Sequence, residues 1–131
     1  MILADTDVLI DYLTGTQPAK NQVQAYIESD SLQTTAVNCF EMLSGAHKDA
    51  RGQQTRDFVA DLPVLPLDRE SATQAAKVRQ KLERKGLSIG MADSLIAGIA
   101  LAHNLPLLTR NRKHFEKIEG LQLIALGQST N

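Results

Sequence analysis

The sequence predicts an α/β fold, a single domain with a central parallel sheet of about five strands and helices on both faces. Short apolar runs alternate with longer amphipathic segments, which is the pattern of strands joined by helices. The strand-like runs show little alternation of apolar and polar residues, as expected for strands covered on both faces. The 131 residues suffice for one domain with its own core, so the predicted domain spans residues 1–131.

The first part of the chain predicts one strand and two helices. Residues 2–4 are a short apolar run, which is typical of a central strand. Asp7 is predicted to cap the following helix, and Gly15 to end it, because glycine readily adopts the left-handed conformation. Pro18 suits the first turn of a second helix that runs to about Ser29.

The middle of the chain predicts two further strands and two further helices. Residues 32–37 contain threonine and valine and are predicted to form a strand. Asn38 is predicted to cap the next helix, and a polar helix is expected over residues 53–61. Residues 64–67 predict a third strand, which Asp68 follows as the cap of the longest helix.

The last part of the chain continues the alternation of helices and strands. The predicted elements are helices over residues 69–85, 91–104 and 112–118 and strands over residues 105–109 and 121–125. The helix over 91–104 is apolar around most of its circumference, which predicts that it is buried between layers.

Composition and charge exclude several classes of protein. Cys39 is the only cysteine, so the chain has neither a disulfide framework nor a cysteine-based zinc site. No apolar run approaches the roughly 20 residues of a membrane span, and the start of the chain lacks a signal-peptide pattern, so we expect a cytoplasmic protein. A net charge of −1 argues against a general electrostatic sleeve for nucleic acid, but it is compatible with a local basic patch.

Oxygen-bearing side chains from four distant parts of the chain are predicted at one edge of the sheet. Asp5 directly follows the first strand and Asn111 follows the fourth, while Glu41 and Asp93 are expected in the first turns of their helices. Ligands of open parallel sheets bind at the carboxyl ends of the strands, so we expect these side chains to converge there. Gathered carboxylates repel one another, and the hard cations Mg²⁺ or Mn²⁺ are their natural occupants.

Each acid also has a purely structural interpretation. Asp5 or Asp7 can cap the first helix. Glu41 and Asp93 can stabilise a helix N-terminus by their charge. The metal-site hypothesis therefore depends on the combination, and above all on Asp93, because this acid opens the most buried helix.

Four segments carry motifs in a characteristic order and spacing. They are ILADTDVLID at 2–11, NCFEMLSGA at 38–46, SIGMADSLIA at 88–97 and LLTRN at 107–111, with Phe115, Gly120 and Leu121 beyond. Together they resemble the PIN-domain ribonucleases, particularly the VapC-type toxins of bacterial toxin–antitoxin pairs. The resemblance covers essentially the whole chain.

The resemblance implies a PIN-like fold and a metal-dependent endoribonuclease that hydrolyses RNA. It places the acidic metal-binding and catalytic positions on Asp5, Glu41 and Asp93, and a further catalytic position on Asn111. Asn111 stands where many members have a fourth acid, which weakens the case for a second metal, and Asp7 stands where Asn is more frequent. The resemblance also implies a small VapB-type antitoxin and a homodimer.

Five side chains are predicted to contact the RNA substrate. Arg110, Arg112 and Lys113 follow the fourth strand, and phosphate contacts by such residues fix position more than sequence. Thr6 and Thr109 are expected at the same edge, where a hydroxyl can also hydrogen-bond a ligating carboxylate.

Two other surfaces are interpreted from the sequence. The alternating charges of residues 77–85 predict a solvated helix face. An apolar groove involving Leu9, Tyr12, Leu13 and Phe40 is the expected docking site of an antitoxin helix, and ordinary core is the alternative for all four.

Three alternative functions compete with the nuclease. Residues 5–7 resemble the acid pair of haloacid-dehalogenase-like, Mg²⁺-dependent phosphatases, but the later acidic pair of that family is missing. A receiver-like module would use Asp68 as its phosphoacceptor, yet Arg110 stands close to where a lysine is required. A catalytically inactive PIN-like interaction module is the third alternative, because Asn111 replaces an acid.

Overall fold

Five parallel strands form the centre of the computed structural model, which describes residues 1–127. In chain order they are β1 (Ile2–Ala4), β2 (Leu32–Thr35), β3 (Val64–Leu65), β4 (Leu107–Leu108) and β5 (Leu123–Ile124). They lie side by side in the order β3-β2-β1-β4-β5, and each neighbouring pair is parallel. The predicted α/β class and strand number are confirmed, while residues 128–131 of the predicted domain lie outside the described residues.

Seven helices connect the strands within residues 1–127. They are α1 (Thr6–Thr14), α2 (Ala19–Glu28), α3 (Ala36–Ser44), α4 (Ala50–Asp61), α5 (Arg69–Arg84), α6 (Met91–His103) and α7 (Arg112–Phe115). None of the helices in the described part of the chain has both the length and the apolar character needed to cross a bilayer.

The core is divided by the sheet into two apolar clusters. Successive residues of a strand point to opposite faces, so Ala4 of β1 joins the cluster under α1 and α2, whereas Leu3 joins the cluster under α5 and α6. The same division separates Leu108 from Leu107 in β4. Both faces are therefore covered, which explains why β1 and β4 consist of apolar residues alone.

Helices α5 and α6 lie unusually close together because of one glycine. Gly98 of α6 is buried, and a Cβ placed on it would overlap with the Ser71 carbonyl oxygen and the Ala75 side chain of α5. This close approach fixes α6 against α5. It thereby also fixes the position of Asp93, which lies in the first turn of α6.

Two predicted helix caps are wrong, for a common physical reason. Asp5, rather than Asp7, caps α1, because its side chain accepts a hydrogen bond from the Thr6 backbone N–H. Thr35, rather than Asn38, caps α3, so β2 ends two residues earlier than predicted. Glu41 consequently lies in the second turn of α3 rather than the first. In both cases the residue at the carboxyl end of a strand uses its side-chain oxygen to cap the helix that follows.

Candidate functional site

The candidate site lies where the direction of the strand order reverses. From β1 the chain proceeds to β2 and β3 on one side of the sheet, and β4 and β5 lie on the other side. This arrangement leaves a crevice at the carboxyl ends of β1 and β4, the usual place for ligands in such sheets. Asp5 directly follows β1 and Thr109 directly follows β4, so both residues face this crevice.

Asp5 is buried and held by three hydrogen bonds. Its Oδ1 accepts from the Thr6 backbone N–H at 2.8 Å and from Asn38 Nδ2 at 2.9 Å. Its Oδ2 accepts from the Thr109 hydroxyl at 2.7 Å. Asp5 is only 5% exposed, so these neutral donors replace the water that an ionised carboxylate would otherwise require. The carboxylate is thereby fixed in one orientation at the crevice.

Asn38 connects Asp5 to Glu41. Its Nδ2 lies 2.9 Å from Thr6 Oγ1, and that hydroxyl donates to Glu41 Oε1 at 2.9 Å. The Thr35 hydroxyl in turn donates to Asn38 Oδ1 at 2.7 Å, so the amide is paired at both ends. Two predicted acids therefore belong to one hydrogen-bond network, although Glu41 itself is exposed.

The sequence reasoning missed Asn38 as a site residue and treated it only as a cap. A signal was present in the sequence, because Asn38 lies four residues before Met42 and therefore on the same face of the helix, and both residues are buried in α3. Its 0% exposure and its contact with Asp5 identify it as a positioning residue for the buried carboxylate.

Thr109 has the same kind of role, and its hydrogen bond to a candidate ligating carboxylate agrees with one of the two roles predicted for it. It is 1% exposed and donates to Asp5 Oδ2, and its oxygen accepts from the Asn111 backbone N–H at 3.0 Å. A side chain so enclosed does not reach a phosphate. Thr6 is only partly buried, but its hydroxyl is engaged by Asn38 and Glu41.

Asp7 is a third carboxylate of the crevice. Its Oδ2 accepts from the Arg110 backbone N–H at 3.0 Å, whereas its buried Oδ1 has no hydrogen-bond partner among the described residues. Burial, together with the negative charge of Asp5, raises the pKa of Asp7 to about 6. The unpaired oxygen and the raised pKa both show that the charged form of Asp7 is poorly solvated where it lies, beside a second carboxylate.

Asp93 approaches from the opposite side of the crevice, in the first turn of α6. Its Oδ2 lies 2.9 Å from Nδ1 of His114, where a ring N–H can donate to it. Burial raises the pKa of Asp93, the hydrogen bond from His114 opposes the rise, and the charge of Asp5 adds to it. The influence of Asp5 on both Asp7 and Asp93 indicates that the three carboxylates share one electrostatic environment.

The basic residues after β4 differ from one another in what they contact. Arg110 Nε lies 2.9 Å from Asp11 Oδ2, so a cation predicted to bind RNA is paired with an acid of α1. Arg112 and Lys113 are exposed in α7, as a phosphate contact requires. Asn111 is exposed at the start of α7, and only its backbone N–H is engaged in the crevice.

The donor chemistry of the crevice fits a hard divalent cation. Every candidate ligand is an oxygen, which Mg²⁺ and Mn²⁺ prefer, and the orphaned Asp7 Oδ1 indicates a place for positive charge. Within residues 1–127, however, no three acidic, histidine or cysteine side chains are gathered closely enough to form a ready ligand group. The physical reason is that Glu41 is directed to Thr6 and Asp93 to His114, so each carboxylate is satisfied locally.

A family model described as the PIN domain matches residues 2–121. The chain belongs to the PIN-domain family. Within that family it is 30% identical to "Ribonuclease VapC1" of Methanocaldococcus jannaschii over 118 residues, covering 90% of this chain and 81% of that protein. It is 27% identical to the "tRNA(fMet)-specific endonuclease VapC" of Shigella flexneri, covering 92% and 93% of the two chains. The predicted resemblance to VapC-type PIN domains is therefore confirmed.

Solved structures agree with this assignment. The PIN domain described here superposes with a TM-score of 0.81 on a structure of VapBC2 from Rickettsia felis bound to a promoter DNA fragment, at 25% identity over 95% of this chain and 98% of that chain. The DNA-bound VapBC of Salmonella typhimurium gives the same TM-score of 0.81 at 25% identity, with 95% and 98% coverage. PIN-domain nucleases generally use divalent metal ions.

Proposed function

We propose that this PIN domain is a metal-dependent endoribonuclease toxin that hydrolyses RNA phosphodiester bonds. The observation that carries the proposal is the buried Asp5 carboxylate, which three hydrogen bonds fix at the reversal point of the sheet. Thr6 joins it to Glu41, and its charge acts on Asp93. The names of the relatives, ribonuclease and endonuclease, support the same activity.

The carboxylates of Asp5, Glu41 and Asp93 would hold Mg²⁺, with Mn²⁺ as the alternative ion. When bound, such an ion lowers the pKa of a coordinated water and orients it for attack on phosphorus. Asn38 and Thr109 hold Asp5 in place, and Thr6 holds Glu41.

Three other residues of the chain contribute in different ways. The exposed Arg112 and Lys113 contribute positive charge for the phosphate backbone. Asn111 lies at the same edge and would contribute an amide in place of an acid.

Two of the alternative functions conflict with observed contacts. A receiver module requires Asp68 as an accessible phosphoacceptor at the site, but Asp68 caps α5 by accepting a hydrogen bond from the Ser71 backbone N–H. A haloacid-dehalogenase-like phosphatase would give no role to Glu41 or Asp93, although the fold brings both residues to the edge of the site. A catalytically inactive PIN domain is distinguished from an active one by the following experiment.

The activity is tested with purified protein, total RNA and initiator tRNA in Mg²⁺, Mn²⁺ or EDTA. We include initiator tRNA because the Shigella flexneri relative is named for it. Asp5→Asn and Asp93→Asn are each expected to reduce cleavage by more than about 100-fold, because even residues that only orient ligands contribute 10–100-fold. Asp57→Asn is the matched control, since Asp57 is exposed on α4.

Three outcomes would contradict the proposal. Cleavage that persists in EDTA would exclude metal dependence, and cleavage that survives both site substitutions would exclude these acids as ligands. No cleavage under any condition would favour the inactive module.

We also propose that a small VapB-type antitoxin occupies a groove between α1, α3 and α4. Ile10, Leu13 and Met42 line this groove, and Glu41 lies at its border, so a helix placed there would reach the site. Of the four residues predicted for docking, Leu13 lines this groove, whereas Tyr12 packs against Phe58 in a separate depression. Phe40 is 66% exposed but lies outside the lining. Leu9, in contrast, is 0% exposed and belongs to the core, so it is removed from the predicted docking set.

The partner proposal is tested by co-expression with the product of the adjacent gene. Ile10→Glu, at a 46% exposed position that lines the groove, is expected to abolish co-purification and to relieve inhibition of cleavage. The matched Leu67→Glu, at a 41% exposed position outside the groove, is expected to do neither. An active protein that the neighbouring product does not affect would overturn the proposal. The expected homodimer is tested by light scattering, and the cytoplasmic location stays a prediction.

A further inference from the structure

A groove beside the candidate site is lined by four lysines. Lys77 and Lys81 lie on α5, Lys85 directly follows this helix, and Lys117 lies across the groove, after α7. A spacing of four residues places the first three on one helix face, where like charges destabilise a helix. Helix stability therefore does not account for their alignment.

The groove suits long basic side chains. Val78, Leu82, Leu101 and Ile118 contribute its apolar lining, along which lysine stems can lie while the ammonium groups remain in water. Its one acidic residue is Glu119, whose Oε2 lies 3.4 Å from Lys81 Nζ. Both of these side chains are largely exposed, so this ion pair is weak and leaves the groove strongly positive.

The charged side chains of residues 77–85 are exposed, as predicted for a solvated helix face, but they differ in what they pair with. Arg79 pairs with Glu83 one turn along α5, with Nε 3.7 Å from Oε1, so those two charges offset each other. The lysines at 77, 81 and 85 instead line the groove together. The chain has a net charge of −1 and nevertheless concentrates positive charge here.

The groove continues to the candidate site. Leu82 and Lys117 also line a second depression, which contains Lys113, His114 and Asp93. Positive charge is therefore continuous from α5 to the carboxylate in the first turn of α6.

We propose that this lysine groove binds the phosphate backbone of RNA and leads it to Asp93. The proposal rests on the proposed ribonuclease function. Lysine acts on phosphate as a flexible point charge, so the groove would contribute affinity and position but little sequence selection. An acidic protein segment is the competing occupant, and RNA is favoured because the groove ends at the carboxylates where the phosphodiester must lie.

The test measures binding of labelled initiator tRNA to the full chain in EDTA, by fluorescence anisotropy at several KCl concentrations. The groove variant is Lys77→Gln with Lys117→Gln, and the control of equal charge is Lys20→Gln with Lys48→Gln. Each lost phosphate contact reduces the slope of log affinity against log salt by about 0.7–0.9. We therefore expect the groove variant to bind roughly tenfold more weakly at 100 mM KCl with a slope smaller by about 1.4–1.8, and the control to match wild type.

Cleavage kinetics provide the second measurement. With Mg²⁺ or Mn²⁺, the groove variant should show a raised KM and a kcat close to wild type, because the carboxylates are intact. Lys77→Arg with Lys117→Arg should restore binding, and circular dichroism should show that all variants are folded.

The outcomes separate this proposal from the function on which it rests. If cleavage requires Asp5 but the groove and control variants bind tRNA equally well, the groove proposal is overturned and the nuclease function is retained. Groove-dependent binding without cleavage under any metal would overturn only the nuclease function. A groove variant that loses binding to poly-glutamate but keeps tRNA binding would assign the groove to an acidic protein instead.

Discussion

Asp5 and Asp93 face the same crevice from very different surroundings. Asp5 is 5% exposed and is held by donors from α1, α3 and the end of β4. Asp93 has a side chain that is 25% exposed and contacts His114, whose side chain is itself 57% exposed. One half of the site is a buried polar network, and the other half is a pair of side chains at the surface.

The difference indicates how the two halves contribute. Buried hydrogen-bonded networks fix a carboxylate without further ordering, whereas an exposed pair gains little free energy and is readily rearranged. The Asp5 half is preorganised, whereas Asp93 is held by its exposed contact with His114. With Glu41 directed to Thr6 and Asp93 directed to His114, residues 1–127 contain no ready ligand group.

Among the residues that support the acids rather than supply them, the largest effect is expected for Asn38→Ala. Its amide donates to Asp5 and Thr6 and accepts from Thr35, so truncation leaves several buried groups unpaired. We expect a loss of about 1–3 kcal/mol in the free energy of unfolding and about 10–100-fold in cleavage. Urea unfolding and tRNA cleavage measure the two effects. Asn21→Ala on the exposed side of α2 is the control, and equal effects of the two substitutions would disprove the buried network.

Thr109→Val should have a smaller effect, because only one hydroxyl is lost and the shape is kept. Asp5 Oδ2 loses its donor and the Asn111 backbone N–H loses its acceptor. We expect the free energy of unfolding to fall by about 1–2 kcal/mol, with a drop in cleavage of about tenfold. Thr109→Ser retains the hydroxyl and should behave as wild type. A serine variant as impaired as the valine variant would show that packing, not hydrogen bonding, is the cause.

Asp7→Asn should stabilise the protein at neutral pH. The folded-state pKa of Asp7 is raised to about 6, so the folded protein binds the proton more tightly and loses stability as pH rises from about 4 through 6. Asn does not titrate, so the variant does not lose this stability. We expect its free energy of unfolding to be higher by about 1 kcal/mol, because solvent screens the partly exposed Asp7. Urea unfolding in EDTA at pH 7.5 and 4.5 measures it. A gain of the same size at both pH values would exclude the titration of Asp7 as its source.

The smallest effect on stability is expected for His114→Gln. The contact between His114 and Asp93 is largely exposed, so its loss should change the free energy of unfolding by less than about 1 kcal/mol. Thermal unfolding at pH 6 and 8 tests this, with His47→Gln at another exposed histidine as the control. A destabilisation as large as that of Asn38→Ala would mean that the two halves of the site are equally rigid.

Much of the fold follows from local patterns in the sequence. The apolar runs and helix-ending residues such as Gly15, which has a φ of 77°, predict the order of elements because they depend on near neighbours. The ends of strands are less predictable. Asp5 and Thr35 lie at the ends of strands and also cap the next helices. Asp7 and Asn38, which lie two and three residues further on, are equally suitable caps by residue type, so the sequence does not show which residue of each pair is the cap.

The sequence by itself determined the α/β class and the family resemblance, and it predicted the acids at 5, 41 and 93 as ligands, because each depends on residue type and spacing along the chain. Only the tertiary structure decided which partners hold those acids. Asn38 reaches Asp5 across 33 positions and Thr109 reaches it across 104, and Arg110 is drawn to Asp11. Such contacts depend on the order of strands in the sheet, since parallel strands bring distant segments to one edge.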